Sequence, residues 1–196
     1  MEVKILPLPE NIVALDCEMV GVGKSKKGCL ARCSIVGYNG SILYDQYVKP
    51  RQKVTDYRTR WSGIKPGDLE VGAIPFEVAR SQIVSILSNK IVVGHALGFD
   101  MKILKIFLPK NQLRDTSQFL PLRVKADIKN NRTPSLARLA KVLLCRDIQY
   151  PTHCSVEDCI AAMDLYKSVE DEWERPLKSV YFDDSFWPDW LGAATT

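Results

Sequence analysis

Apolar and polar positions change period several times along the chain, and each change marks an expected element. Ile12 to Met19 opens with four apolar residues and reads as a buried strand; Leu30 to Tyr38 and Ile42 to Val48 read as two more. Asn39-Gly40, between the second and third, is the strongest short hairpin signal in the chain. A basic, turn-rich loop follows, KPRQKVTDYRTRWSG. From Pro75 to Leu87 the spacing becomes helical, with Phe76, Val78, Ala79, Ile83, Ile86 and Leu87 apolar. Ile91 to Val93 predicts a short strand ending at Gly94, and Phe99 to Phe107 a helix stopped by Pro109. Arg114-Asp115-Thr116 predicts another short strand, and Pro121 to Arg132 a basic, polar loop. Thr133-Pro134-Ser135 opens a helix with the stripe Leu136, Leu139, Ala140, Leu143 and Leu144. Ser155 is expected to cap a last long helix whose inward face includes Val156, Ile160, Met163, Leu165 and Val169. Three strands followed by alternating helices and strands predict the α/β class, with a mixed central sheet and helices on both faces.

Composition narrows this reading only slightly. A chain of 196 residues suits one domain with a single core, and its apolar runs are too short to span a bilayer. The N-terminal segment lacks a cleavage pattern, which argues against secretion. Six cysteines without a C-x-x-C pair point to reduced intracellular thiols. Charge is more informative. The net is +4, yet from Glu170 onward seven acids face only Arg175 and Lys178, so that segment carries −5 and the rest +9. A basic body points to a polyanionic partner, nucleic acid first, although a merely solvated surface would look the same.

The first strand then does something a buried strand avoids. Asp16 and Glu18 lie two apart and so share one face, where two like charges repel and are costly to desolvate. Either that face meets solvent or a cation sits there. Hard carboxylate oxygens suit Mg²⁺ or Mn²⁺, and a pair of ions roughly 3.5–4 Å apart is the usual clamp for displacement at phosphorus. Two further acids are placed to help. Asp100 comes early in the helix after Gly94, and Asp158 lies in the first turn after Ser155, where plain capping is the competing role. His153, in the loop before that helix, has the ordinary pKa of a base suited to take a proton from water.

These residues resemble a known pattern. D-x-E (Asp16, Glu18), a later acid (Asp100), and His with Asp five residues on (His153, Asp158) are similar to the DEDDh branch of the DnaQ-like 3′→5′ exonucleases. The flanks ALDCEMVGVG, LARCSIVGYNGSILYDQYVKP, DYRTRWSGI, VVGHAL and HCSVEDCIAAMDLY resemble the group of interferon-stimulated exonuclease, apoptosis-enhancing nuclease and nucleolar RNA exonuclease, over residues 10 to 175. The resemblance implies an RNase H-like fold. It also implies two divalent cations, Mg²⁺ or Mn²⁺, held by Asp16, Glu18, Asp100 and Asp158, with His153 as the base. Met19 and Arg58 would lie against the terminal ribose and its 2′-hydroxyl, favouring single-stranded RNA over DNA. A nuclear or nucleolar location, with a possible cytoplasmic pool, and a monomeric state accompany it. One departure is Gly98-Phe99 before Asp100, where relatives carry His-Asn or Lys-His. It leaves open how that helix start is held, and whether Phe99 packs inward or braces a base.

The remaining signals are weaker. Lys24, Lys26 and Lys27 form a basic turn, and Arg58, Arg60 and Trp61 interleave cation and aromatic as single-strand binders do. His95 is expected to be a structural hydrogen-bonder. Residues 1–175 are expected to form the exonuclease domain and 176–196 an acidic, aromatic extension. That extension either folds over the substrate groove, clasps the domain through Phe186, Trp187 and Trp190, or binds a protein partner. Two alternative functions stay open: a nucleic-acid-binding module with little catalysis, and a hydrolase of very short oligonucleotides.

Overall fold

The computed structural model describes residues 7–128 and 133–181, the last six as backbone alone, and its axis is a long strand, β1 (Ile12–Val22). Antiparallel to it in turn are β2 (Lys27–Gly37) and β3 (Ile42–Lys49). The chain continues through β4 (Val54–Asp56), α1 (Thr59–Ser62), β5 (Ile74–Pro75), α2 (Phe76–Leu87), β6 (Ile91–Gly94) and α3 (Gly98–Leu104). Among the described residues there follow β7 (Leu113–Asp115), α4 (Leu120–Lys125), α5 (Leu136–Leu143), α6 (Ser155–Lys167) and α7 (Glu170–Tyr181). The strands lie in the order β5-β3-β2-β1-β6-β7, with β4 beside the C-terminal end of β1. β6 pairs parallel to β1 and β7 parallel to β6, so the sheet is mixed.

Alternation along β1 divides the core. Ile12 and Ala14 face α4, α5 and α6, meeting Leu122, Leu139, Cys159, Ala162 and Tyr166. Val13, Leu15 and Cys17 face α2 and α3, meeting Ala79, Ile83, Leu87 and Leu104. Asp16 and Glu18 share the parity of Ile12 and Ala14 and therefore point toward α6. The β1–β2 register breaks between Glu18 and Met19, where β2 carries Ala31 as an extra residue. Such a bulge bends the ladder and redirects side chains at that point. At the hairpin, Gly40 takes φ +83°, a conformation that costs glycine nothing.

Several local expectations are corrected. Leu120–Lys125 is a helix, not a loop, because Pro121 falls in its first turn, where a missing N–H is harmless, and Leu122 is fully buried. α3 stops at Leu104, with Lys105 in the left-handed conformation, well before Pro109; Phe107 is exposed. The loop after β3 contains β4 and α1. Ser155 does not cap α6; Cys154 occupies that position in extended conformation, and the Ser155 hydroxyl is buried 2.6 Å from that of Ser34. Nor is α6 the last helix.

α7 crosses the expected 175/176 boundary, and its first turns are tied to the body. Glu174 accepts two hydrogen bonds from buried Arg114, at 2.6 and 2.8 Å, and one from Tyr166 at 3.0 Å. Trp173 stacks on Phe119 at 3.8 Å. Glu170 pairs with Tyr38, and Glu172 with Lys125. Three of the seven acids counted from Glu170 onward are thus partners of the domain. Phe186, Trp187 and Trp190, and with them the three roles weighed for the extension, lie outside the described residues.

Candidate active site

Asp16 and Glu18 reach the α6 face from β1, and Asp158 meets them from the first turn of α6. One oxygen from each of the three lies within 4.8 Å of the others. Glu18 and Asp158 are buried, and Asp16 is half-buried. Burial raises all three pKa values. Asp16 stands well above the ordinary carboxylate range, pushed up further by Asp100, Asp158 and Glu18. Glu18 is raised to about 8, chiefly by burial and then by Asp158, with Arg32 pulling it back. Asp158 is raised to about 6 by burial, moderated by a 2.9 Å hydrogen bond from the Gln149 amide.

Two buried oxygens here, Glu18 Oε1 and Asp158 Oδ1, have no hydrogen-bond partner. Buried polar atoms are nearly always satisfied, so orphaned carboxylate oxygens that converge with a third carboxylate fit a divalent cation better than any role within the protein. The donor set is all oxygen, which suits Mg²⁺ or Mn²⁺.

His153 lies beside this group, its Nδ1 3.8 Å from Asp158 Oδ2 and its side chain partly exposed. Burial lowers its pKa, against an opposing pull from Glu157, so the ring is neutral near pH 7. The loop carrying it is braced from below. Gly63, which ends α1 at φ +65°, presses its Cα against the His153 carbonyl, and a Cβ there would stand 2.5 Å from that oxygen.

Asp100 is buried in the first turn of α3 and is not in the group of three. Burial raises it to about 7, with neighbouring Cys17 pulling it back. Its charge is close enough to raise both Asp16 and Glu18. Met19 and Phe99 line a cleft of about 620 Å³ between β1, β2, α2 and α3, with Lys27, Lys102 and Lys105 around it. Phe99 is 71% exposed, so it does not pack inward. Arg58 sits in the left-handed conformation, and its Nη2 donates to the Lys26 carbonyl at 2.7 Å. His95 is structural, with one ring nitrogen on Thr116 and the other on the Pro134 carbonyl.

Two acids escaped the sequence reading. Asp115 accepts the Ala96 and Leu97 amides at 2.8 and 3.0 Å, and so holds the start of α3 that Gly98-Phe99 leaves without a side-chain cap. Asp45 binds Arg32, the residue opposite Glu18. Both act across the sheet, and no local spacing announces them.

A converging acid cluster on a mixed sheet, with a histidine at its rim, can be compared with known proteins. Residues 13–166 match the exonuclease family RNase_T. The chain belongs to that family. Its relatives among RNase_T exonucleases include human interferon-stimulated 20 kDa exonuclease-like 2, 56% identical over 173 residues that cover 87% of this chain and 49% of that one. Human apoptosis-enhancing nuclease is 42% identical over 204 residues, covering 93% and 62%. The group resemblance read from the sequence therefore holds. The chain spans about half the length of the first relative and less than two thirds of the second. Among solved structures, the Saccharomyces cerevisiae Pan2 pseudoubiquitin hydrolase–RNA exonuclease module in complex with AAGGAA RNA matches with a TM-score of 0.72 and 31% identity. That match covers 92% of this chain and 33% of the other. The RNase_T fold seen here is RNase H-like.

Proposed function

We propose that this chain is a metal-dependent 3′→5′ exonuclease that trims single-stranded nucleic acid, RNA in preference to DNA, to nucleoside 5′-monophosphates. The observation that carries the reading is the pair of orphaned, buried carboxylate oxygens on Glu18 and Asp158 in a chain of the exonuclease family. Asp16, Glu18 and Asp158 would hold one divalent cation, and Asp100 would help Asp16 with a second. Such ions, when bound, neutralise charge that develops on the transferring phosphoryl group. The chain's own residues do the rest. The carboxylates lie on a central strand and a buried helix and so are pre-positioned at little cost on turnover. Neutral His153 at the rim takes the proton of the attacking water. Asp115 keeps Asp100 in place by fixing the two amides ahead of α3. The Met19 and Phe99 cleft receives unpaired bases, while Lys27, Lys102 and Lys105 meet phosphates. The preference for RNA is supported by the RNA bound to the Pan2 neighbour and by Met19, at the rim of that cleft. The 3′→5′ polarity follows the DEDDh pattern.

The test is degradation of end-labelled RNA and DNA oligomers, each with a free or a blocked 3′ end, with Mn²⁺ or EDTA. Stepwise shortening of free-ended RNA that stops with EDTA is expected; cleavage unaffected by a 3′ block, or persisting in EDTA, overturns the reading. In the same assay at saturating Mn²⁺ and about pH 8, His153→Ala should lower kcat about a hundredfold, the lower end of the range for a general base. Activity within about threefold of wild type under those conditions would exclude His153 as the base. Gly63→Ala should lower stability by about 2 kcal/mol, from the left-handed backbone and the contact with the His153 carbonyl. It should also slow turnover at least tenfold by moving that loop. Equal melting temperature and rate in this variant would show that the brace does not matter.

A further inference from the structure

The β1–β2 register places Arg32 directly opposite Glu18. Residues so paired point to the same face with their Cβ atoms about 5 Å apart, and an arginine facing a buried glutamate ordinarily forks onto it. Here it does not. Glu18 keeps Oε1 without a partner, while the Arg32 guanidinium is turned toward other groups. Nε and Nη2 donate to the two oxygens of Asp45 on β3, at 2.7 and 2.8 Å, and Nη1 approaches Cys154 Sγ at 3.7 Å. Asp45 is in turn fixed by the Ser34 hydroxyl, which donates to its Oδ1 at 2.8 Å and stands 2.6 Å from the hydroxyl of Ser155 at the start of α6. Ser34 and Ser155 are fully buried. The guanidinium plane is further confined by the Tyr47 ring, 5.3 Å away.

We propose that Asp45 is a positioning residue that sequesters the Arg32 guanidinium, so that the Glu18 carboxylate opposite it stays free for a divalent cation. The inference rests on the metal reading above. It explains why a buried ligand oxygen is unsatisfied with a guanidinium on the next strand. The same clamp joins β3 and β2 to the first turn of α6, and so sets Asp158 and the His153 loop relative to β1. Released from Asp45, Arg32 would turn to the carboxylate directly opposite it, that of Glu18. A cation would then have to displace a like charge to bind.

Mn²⁺ binding to the full chain, followed by the electron paramagnetic resonance of free Mn²⁺, tests this without reference to turnover. D45N should weaken binding about tenfold or more, as loss of a partner to a ligand-bearing network does. The double variant R32Q/D45N should return to within about threefold of wild type, and R32Q alone should bind no more weakly than wild type. Asp45 as a mere structural strut predicts the reverse, with the double variant as weak as D45N or weaker; that result, or wild-type affinity in D45N, overturns the proposal. Melting curves in EDTA report whether each variant folds. If D45N does not fold, R32K against R32Q decides. A lysine keeps the charge but cannot fork, so R32K should bind Mn²⁺ more weakly than R32Q, and the opposite order sinks the idea. A wild-type protein that binds no Mn²⁺ removes the metal reading itself, whereas normal wild-type binding with unresponsive variants removes only this inference.

Discussion

Asp16→Asn is expected to slow hydrolysis of a single-stranded RNA by a factor of about a thousand or more, because stabilisation by positioned ions supplies most of the acceleration in such chemistry. The same change should raise the melting temperature of the metal-free protein at pH 8. Both effects have one origin. Asp16 is the carboxylate whose ionisation is opposed by burial and then by Asp100, Asp158 and Glu18 together. Asparagine has nearly the same shape, loses the charge, and offers an N–H₂ that can donate to Glu18 or Asp158. Relief of that repulsion should stabilise the metal-free fold by about 1 kcal/mol, a shift of roughly 2–4 °C for a chain this size. Gel-based degradation and thermal melts in EDTA measure the two quantities on one sample. Hydrolysis retained within tenfold of wild type would remove Asp16 from the site. A melting temperature that falls at pH 8 would show that its charge is not crowded in the metal-free state.

The parts of this site that could be read from the sequence are those with a local period. Asp16 and Glu18 announce themselves because a two-residue spacing on a strand forces one face, and Asp158 because it follows a helix start. Burial of β1 on both faces follows from the apolar run before Asp16. What stayed hidden acts at long range. Asp115 sits 18 and 19 residues from the amides it accepts, and Asp45 is 13 residues from the arginine it holds. Each looked like an ordinary polar residue in a short strand. α4 was obscured by Pro121 and its basic neighbours, although proline in a first turn is compatible with a helix. Ser155 had the chemistry of a cap, but packing gave its hydroxyl to Ser34 instead. The charge asymmetry of the last residues was likewise a count without geometry. Glu170, Glu172 and Glu174 are bonded to Tyr38, Lys125 and Arg114 of the domain itself.

The metal-free protein is also expected to lose stability as pH rises from about 5 to 8, opposite to the acid unfolding common among globular proteins. In the folded state Asp158, Asp100 and Glu18 have pKa values raised to about 6, about 7 and about 8. In an unfolded chain all three would titrate near their ordinary values of 3.8 and 4.5. Folded protein therefore holds protons that unfolded protein has released. The stability gained from those protons is complete below about pH 4 and is lost as pH climbs through 6, 7 and 8. Each pKa unit corresponds to about 1.4 kcal/mol. Because the acids titrate together, a total on the order of 5 kcal/mol is a more reasonable expectation than the full sum of their separate shifts. His95 and His153, lowered by burial, act in the other direction and offset part of the slope below about pH 6.5. A divalent cation that favours the ionised carboxylates should reverse the trend, so the gain in melting temperature on adding Mn²⁺ should be larger at pH 8 than at pH 5.5. Urea unfolding across this range in EDTA, and melts with Mn²⁺ at the two pH values, measure both slopes. Stability in EDTA that stays level or increases between pH 6 and 8 would mean that these side chains are solvated rather than crowded. A Mn²⁺ gain independent of pH would mean that the ion binds elsewhere.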